Sequence, residues 1–130
     1  MSKFVSRTYG NRKDILKFPD HYVAVPVTVD DDGVVAVDGK KIVPAGTIVG
    51  GGTLADPEIM VKKATTTPGD PEEGTPDTTD AEGVLLNDVD VTYGPAPGAM
   101  VIHGFIDLTK LPEDPDAAEV AALKMIQFIA

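Results

Sequence analysis

The chain of 130 residues contains no cysteine and no tryptophan, and only 5% of it is aromatic. Without cysteine, disulfides, thiolate metal sites and thiol nucleophiles are excluded together, and nothing marks the redox compartment. Without tryptophan and with few other rings, the core has to be aliphatic, built from Val, Ile, Leu and Ala. No apolar run approaches the roughly eighteen residues that a membrane-spanning helix requires. The opening Met-Ser-Lys-Phe-Val-Ser-Arg lacks the apolar stretch of a secretory signal, so the expectation is synthesis in a cytoplasm without export by that route.

Basic residues are also scarce. Eleven Lys and Arg face twenty-one Asp and Glu, for a net charge of −10. Such a surface repels phosphate backbones, which argues against nucleic acid as a partner. The two signs are segregated. Lys3, Arg7, Arg12, Lys13 and Lys17 lie near the start against only Asp14, whereas Asp70, Glu72, Glu73, Asp77, Asp80 and Glu82 follow one another with no base between them. The length suits one domain, large enough to bury a core without staples.

Residues 1–19 carry scattered apolar side chains without helical or strand periodicity and read as an extended N-terminal arm, with a short edge strand open as an alternative near Ile15–Phe18. From His21 to Val29, Val23, Val25, Val27 and Val29 recur with a period of two, predicting a strand with one buried face. Pro26 removes a donor and belongs at an edge or a bulge. Asp30-Asp31-Asp32-Gly33 then turns the chain into Val34–Val37, expected to complete a hairpin. Asp38-Gly39 turns it again toward Lys40–Val43, followed by Pro44 to Val49 and three glycines, 50–52.

Residues 65–80 contain no apolar side chain and read as a flexible acidic surface loop. Order returns at Ala81–Thr92 and at Ala99–Leu108, two apolar segments expected to pair antiparallel near the middle of the sheet. Asp114 and Pro115 fit the cap and first position of a helix over about 116–125. Ile126–Ile129 is expected to form a final strand. The fold class is therefore β-rich α+β: a small antiparallel β-sandwich or barrel-like domain over 20–130, with one or two short helices and an extended N-terminal arm.

Candidate chemistry is sparse. His21 and His103 have no partners at the spacings that build zinc sites, and each reads as a satisfied structural histidine. Asp30-Asp31-Asp32-Gly33 resembles the start of a calcium loop, but the twelfth position, where a glutamate is required, is Lys41. The Asn87-Asp88-Val89-Asp90 acids read as an ordinary turn. Gly46 to Thr53 is glycine-rich but lacks the Lys and Ser/Thr of a phosphate loop. No serine or lysine has a visible base beside it. The expectations are no enzyme activity, no metal and no cofactor.

The segments Gly83-Val84-Leu85-Leu86-Asn87-Asp88-Val89-Asp90-Val91 and Val101-Ile102-His103-Gly104-Phe105-Ile106-Asp107-Leu108, with Val43-Pro44-Ala45-Gly46-Thr47 upstream, resemble the base domain of head-decoration and head-fibre proteins of tailed bacteriophages. Excepting residues 65–80, the likeness covers about the last two thirds of the chain. It implies a homotrimer on the outer surface of an assembled capsid, bound to the major capsid protein, that acts as a virion cement. It also implies that the N-terminal segment touches the capsid, and Phe4, Arg7, Tyr9, Arg12, Lys13, Ile15, Leu16 and Phe18 are the residues suited to that role, the apolar ones as an added strand contact and the bases as ion-pair partners. With no repetitive fibre after the helix, decoration is expected over a head fibre. Two other readings stand beside this one: a non-viral β-rich module binding protein or glycan through its acidic loop, and a small hydrolase or isomerase using His103.

Overall fold

The computed structural model describes residues 14–130. Its spine is β9 (Ala96–Asp107), twelve residues long, and both edges of that strand are used. Along one edge runs β1 (Tyr22–Val29), antiparallel from Tyr22↔Gly104 to Val29↔Ala96. Where β1 leaves off, Leu16 continues the same edge through an antiparallel bridge to Ile106, with Lys17 N–H donating to the Phe105 carbonyl and Asp107 N–H to that of Ile15. On the other edge β9 pairs antiparallel with β7 (Ala81–Leu85) at Val84↔Val101, then parallel with β10 (Ile126–Ile129). Beyond β7 come β3 (Ile48–Gly50) and β4 (Lys62–Lys63).

The strands form a closed circuit. Val61, just before β4, bridges Val29 at the end of β1, with Asp30 N–H donating to Val61 O at 2.9 Å and Val61 N–H to Thr28 O at 2.8 Å. Before that bridge the outer edge of β1 has no strand partner, and Pro26, which lacks a donor, sits on this open stretch. Two small ladders lie off this ring: β2 (Ile42–Val43) with β8 (Val89–Asp90), and β5 (Thr66–Thr67) with β6 (Thr78–Thr79).

Burial follows from the pleat. Val27, Val29, Val49, Val61, Leu85 and Met100 pack together on one face of the ring, joined by Val43, Val89 and Val91. Their strand neighbours Ile48, Val84, Val101 and Ile106 face the opposite way, into a second cluster closed by Ile15, Leu16, Leu123 and Ile126. Strands buried on both faces need consecutive apolar residues, which is why 84–86 and 100–102 read as runs and not as alternations. In β1 the register shifts between Val23 and Ala24, so the alternation begins only at Val25 and leaves Val23 half exposed.

Two expectations are corrected. Val34–Val37 does not form a hairpin with β1, because β9 offers β1 a longer and better buried edge. The local hairpin is instead a single bridge, Val37↔Lys40, around Asp38 and Gly39, both at positive φ. The helix, α1 (Ala117–Ala122), is capped by Asp116 and not Asp114. Asp116 accepts from Glu119 N–H at 2.8 Å while Glu119 accepts from Asp116 N–H at 3.2 Å, a reciprocal pair that Asp114 has no glutamate to form. Residues 65–80 are a short hairpin with local bonds. Thr65 N–H donates to the Asp80 carboxylate, Gly69 N–H to that of Asp77, and Asp70 N–H to the Thr75 hydroxyl.

Candidate functional site

Of the eight residues expected to touch a capsid, Phe4, Arg7, Tyr9, Arg12 and Lys13 lie outside the described residues. The other three are split by the fold. Ile15 is fully buried and Leu16 nearly so, in the cluster with Val101, Ile106 and Ile126, so both serve the domain's own core. Ile15 and Leu16 thus follow the alternative of a short edge segment near 15–18 that the sequence left open. Phe18 remains half exposed, its ring edge-on to Phe105 with centroids 5.3 Å apart.

The structure reveals a surface that the sequence did not single out. The lobe built from residues 34–43 and 89–94, clamped by Val91 N–H to Lys41 O and Lys41 N–H to the Thr92 hydroxyl, exposes Val35 (79%), Val37 (68%), Ile42 and a fully exposed Tyr93. Four large apolar groups thus stand exposed on one small lobe, an accumulation that points to an interaction surface. The signal in the sequence was the strand-like Val34–Val37, expected to complete a hairpin. Without β1 as a partner, Val35 and Val37 stay outside.

A groove of about 530 Å³ lies between this lobe and the helix start. Val29, Val43 and Ile48 line it, Asp30, Asp32, Asp116 and Glu119 bring acids to it, and Lys63 makes an exposed 2.9 Å ion pair with Glu113 there. Burial is the main cause raising the Glu119 carboxyl above the ordinary range. The Asp116 carboxyl is lowered, first by the Glu119 backbone N–H and then by the Thr66 hydroxyl, which donates at 2.8 Å. The acids of 70–82 are largely engaged internally. Glu82 accepts from the backbone N–H groups of Gly52, Thr53 and Leu54, fixing the glycine-rich turn, while Asp70, Asp77 and Asp80 accept within their own hairpin.

Both ring nitrogens of His103 have partners: its Nδ1 lies 2.9 Å from the Met125 carbonyl and its Nε2 lies 3.1 Å from Nε2 of His21. Among the described residues no three His, Cys, Asp or Glu side chains cluster as a metal site, and no helix is long and apolar enough to cross a membrane.

These features define a small β-rich protein, antiparallel but for one strand and carrying one short helix, whose most distinctive surface is an apolar lobe. Comparison with protein-family models, curated proteins and solved structures gave no match.

Proposed function

We propose that the chain is a virion structural protein, a homotrimer that decorates and stabilises the outer surface of an assembled bacteriophage capsid through contacts with the major capsid protein. The observation that carries this reading is the exposed apolar lobe with Val35, Val37, Ile42 and Tyr93. The monomer leaves these groups in water, and subunit association would bury them at a gain of roughly 25 cal/mol per Å² of apolar surface. The resemblance of 83–91 and 101–108 to decoration proteins supplies the kind of assembly. A protein that binds only the assembled shell stabilises it by mass action, and repetition over a symmetric surface adds avidity.

The second reading, a non-viral protein- or glycan-binding module without catalytic activity, draws support from the acid-rimmed groove. Light scattering behind size exclusion separates the two. The decoration reading expects three times 13.6 kDa, collapsing to one chain in Tyr93→Glu and Val37→Glu, together with retention on expanded capsid shells. A wild-type monomer that also fails to bind such shells overturns it in favour of the module.

A further inference from the structure

We propose that His21 and His103 form a two-imidazole chelating site for a late first-row divalent transition metal, of the Cu²⁺, Ni²⁺ or Zn²⁺ type. The two residues are 82 positions apart in sequence, and the β1–β9 pairing brings them together. Tyr22 is registered with Gly104 and Val23 with His103, which sets His21, just before β1, beside His103. The chain can bend there because Gly104 has φ +147°, and a Cβ on it would come within 3.1 Å of the His21 carbonyl and the Tyr22 side chain.

The geometry suits a metal in three respects. First, the Nε2 atoms are 3.1 Å apart. Two metal–imidazole bonds of about 2.0–2.1 Å span that distance at an angle of roughly 100°, between the octahedral and tetrahedral values. Second, the ring planes cross at 68° with centroids 5.0 Å apart. That exceeds the N···N separation by less than two ring radii, so the rings do not lie head to head on one line. Third, the partner on the far side of His103 fixes its tautomer. A carbonyl can only accept, so Nδ1 carries the proton donated to Met125 O, and Nε2 accepts from His21 Nε2–H; a metal takes the place of that shared proton, which moves to His21 Nδ1 as the other neutral tautomer. A ring N–H held by a backbone carbonyl is the common support behind a metal-binding histidine.

The Phe105 ring lies 5.8 Å from that of His21 and 5.3 Å from that of Phe18, centroid to centroid, and gives the site an apolar flank. His21 is exposed and His103 half-buried, so an ion can reach them from solvent. No third His, Cys, Asp or Glu among the described residues joins the pair. The site is thus a bidentate chelate, its remaining coordination positions open to water. Two nitrogen donors select against Mg²⁺ and Ca²⁺, which require oxygen, and rank the late metals Cu²⁺ above Ni²⁺ and Zn²⁺. A metal there would tie β9, the segment before β1 and, through Met125, the turn before β10 into one unit, so binding should raise the melting temperature.

The test is calorimetric titration of the tag-free full chain with NiCl₂, with ZnCl₂ and MgCl₂ in parallel. One Ni²⁺ per chain is expected, with weaker binding of Zn²⁺ and none of Mg²⁺. His21→Ala and His103→Gln should each weaken Ni²⁺ binding tenfold or more. Should His103→Gln disturb the fold, the wild-type protein provides the check: Cu²⁺ must broaden the imidazole proton resonances of both His21 and His103 before any other signal. Absence of saturable binding, equal binding by wild type and His21→Ala, or first broadening elsewhere overturns the proposal.

Discussion

At the scale of single residues, Asp116 shows how much one carboxylate can organise. It caps α1, receives the Thr66 hydroxyl from the β5–β6 hairpin, and so joins the helix to the acidic loop. Both bonds favour the ionised form, and its folded pKa lies below the ordinary value. A depressed folded pKa gives stability that is present above the unfolded pKa and is lost as pH falls through the folded one. Asp90 and Asp107 behave alike, each lowered first by a threonine hydroxyl, Thr92 and Thr109. Glu119 has the opposite sign: burial raises it, so its contribution weakens as pH rises through its folded pKa. We therefore expect Asp116→Ala to lower the urea midpoint near neutral pH, with the difference from wild type shrinking as pH falls below the ordinary aspartate range and through the depressed folded pKa. Asp116→Asn, which keeps an accepting oxygen, should hold the neutral midpoint and flatten the acid loss. An Asn variant as weak as the Ala variant at neutral pH would show that the charge, and not the cap, matters.

At the scale of elements, the glycines separate two kinds of constraint. Gly50, in β3, lies against the chain just before β7, where the register shifts, and a Cβ there would fall 1.8 Å from the Asp80 carbonyl oxygen. Gly33, in the Asp-rich turn, has open space around its Cβ direction but φ of +79°. Gly33→Ala should cost only the left-handed strain, about 1–2 kcal/mol. Gly50→Ala forces two backbones apart inside the ring and should cost about 3 kcal/mol or more. Chemical denaturation of the two variants checks the order, and equal losses would mean that the β3–β7 contact gives way easily.

The same elements show what was legible in the sequence. Strand existence was readable at Tyr22–Val29, Ala81–Leu85, Ile126–Ile129 and most of Ala96–Asp107, which the sequence placed at Ala99–Leu108, because β-branched and apolar runs bounded by Gly, Pro and Asp have few other uses. The antiparallel union of β7 with β9 was readable too. Pairing over long sequence separations was not. Nothing local distinguishes Val34–Val37 from a strand; its exposure follows from β1 having found β9, a choice made over some seventy intervening residues. For the same reason the apolar lobe was hidden in the sequence, and so was the approach of His21 to His103.

At the scale of the whole molecule, the described end of the N-terminal segment belongs to the domain. Ile15 and Leu16 close the second core cluster against Ile106 and Ile126, and the backbone of 15–17 fills the edge of β9 that β1 leaves free. Deleting residues 1–18 therefore removes two core side chains together with three backbone hydrogen bonds or their partners. Truncating one buried Ile or Leu costs about 2–5 kcal/mol, and a domain of this size has about 5–15 kcal/mol in all. The longer deletion should leave the protein largely unfolded or prone to aggregate, from loss of core and not of a binding arm. Deletion of residues 1–13 keeps Ile15, Leu16 and the Asp14 carboxylate that accepts from Leu16 N–H at 2.9 Å, and should keep the fold. On the decoration reading, that shorter variant loses capsid binding while its unfolding midpoint stays near wild type. Denaturation and shell co-sedimentation on the same samples separate the two roles. A 1–13 deletion that binds shells as well as the full chain would show that residues 1–13 do not carry the capsid contact.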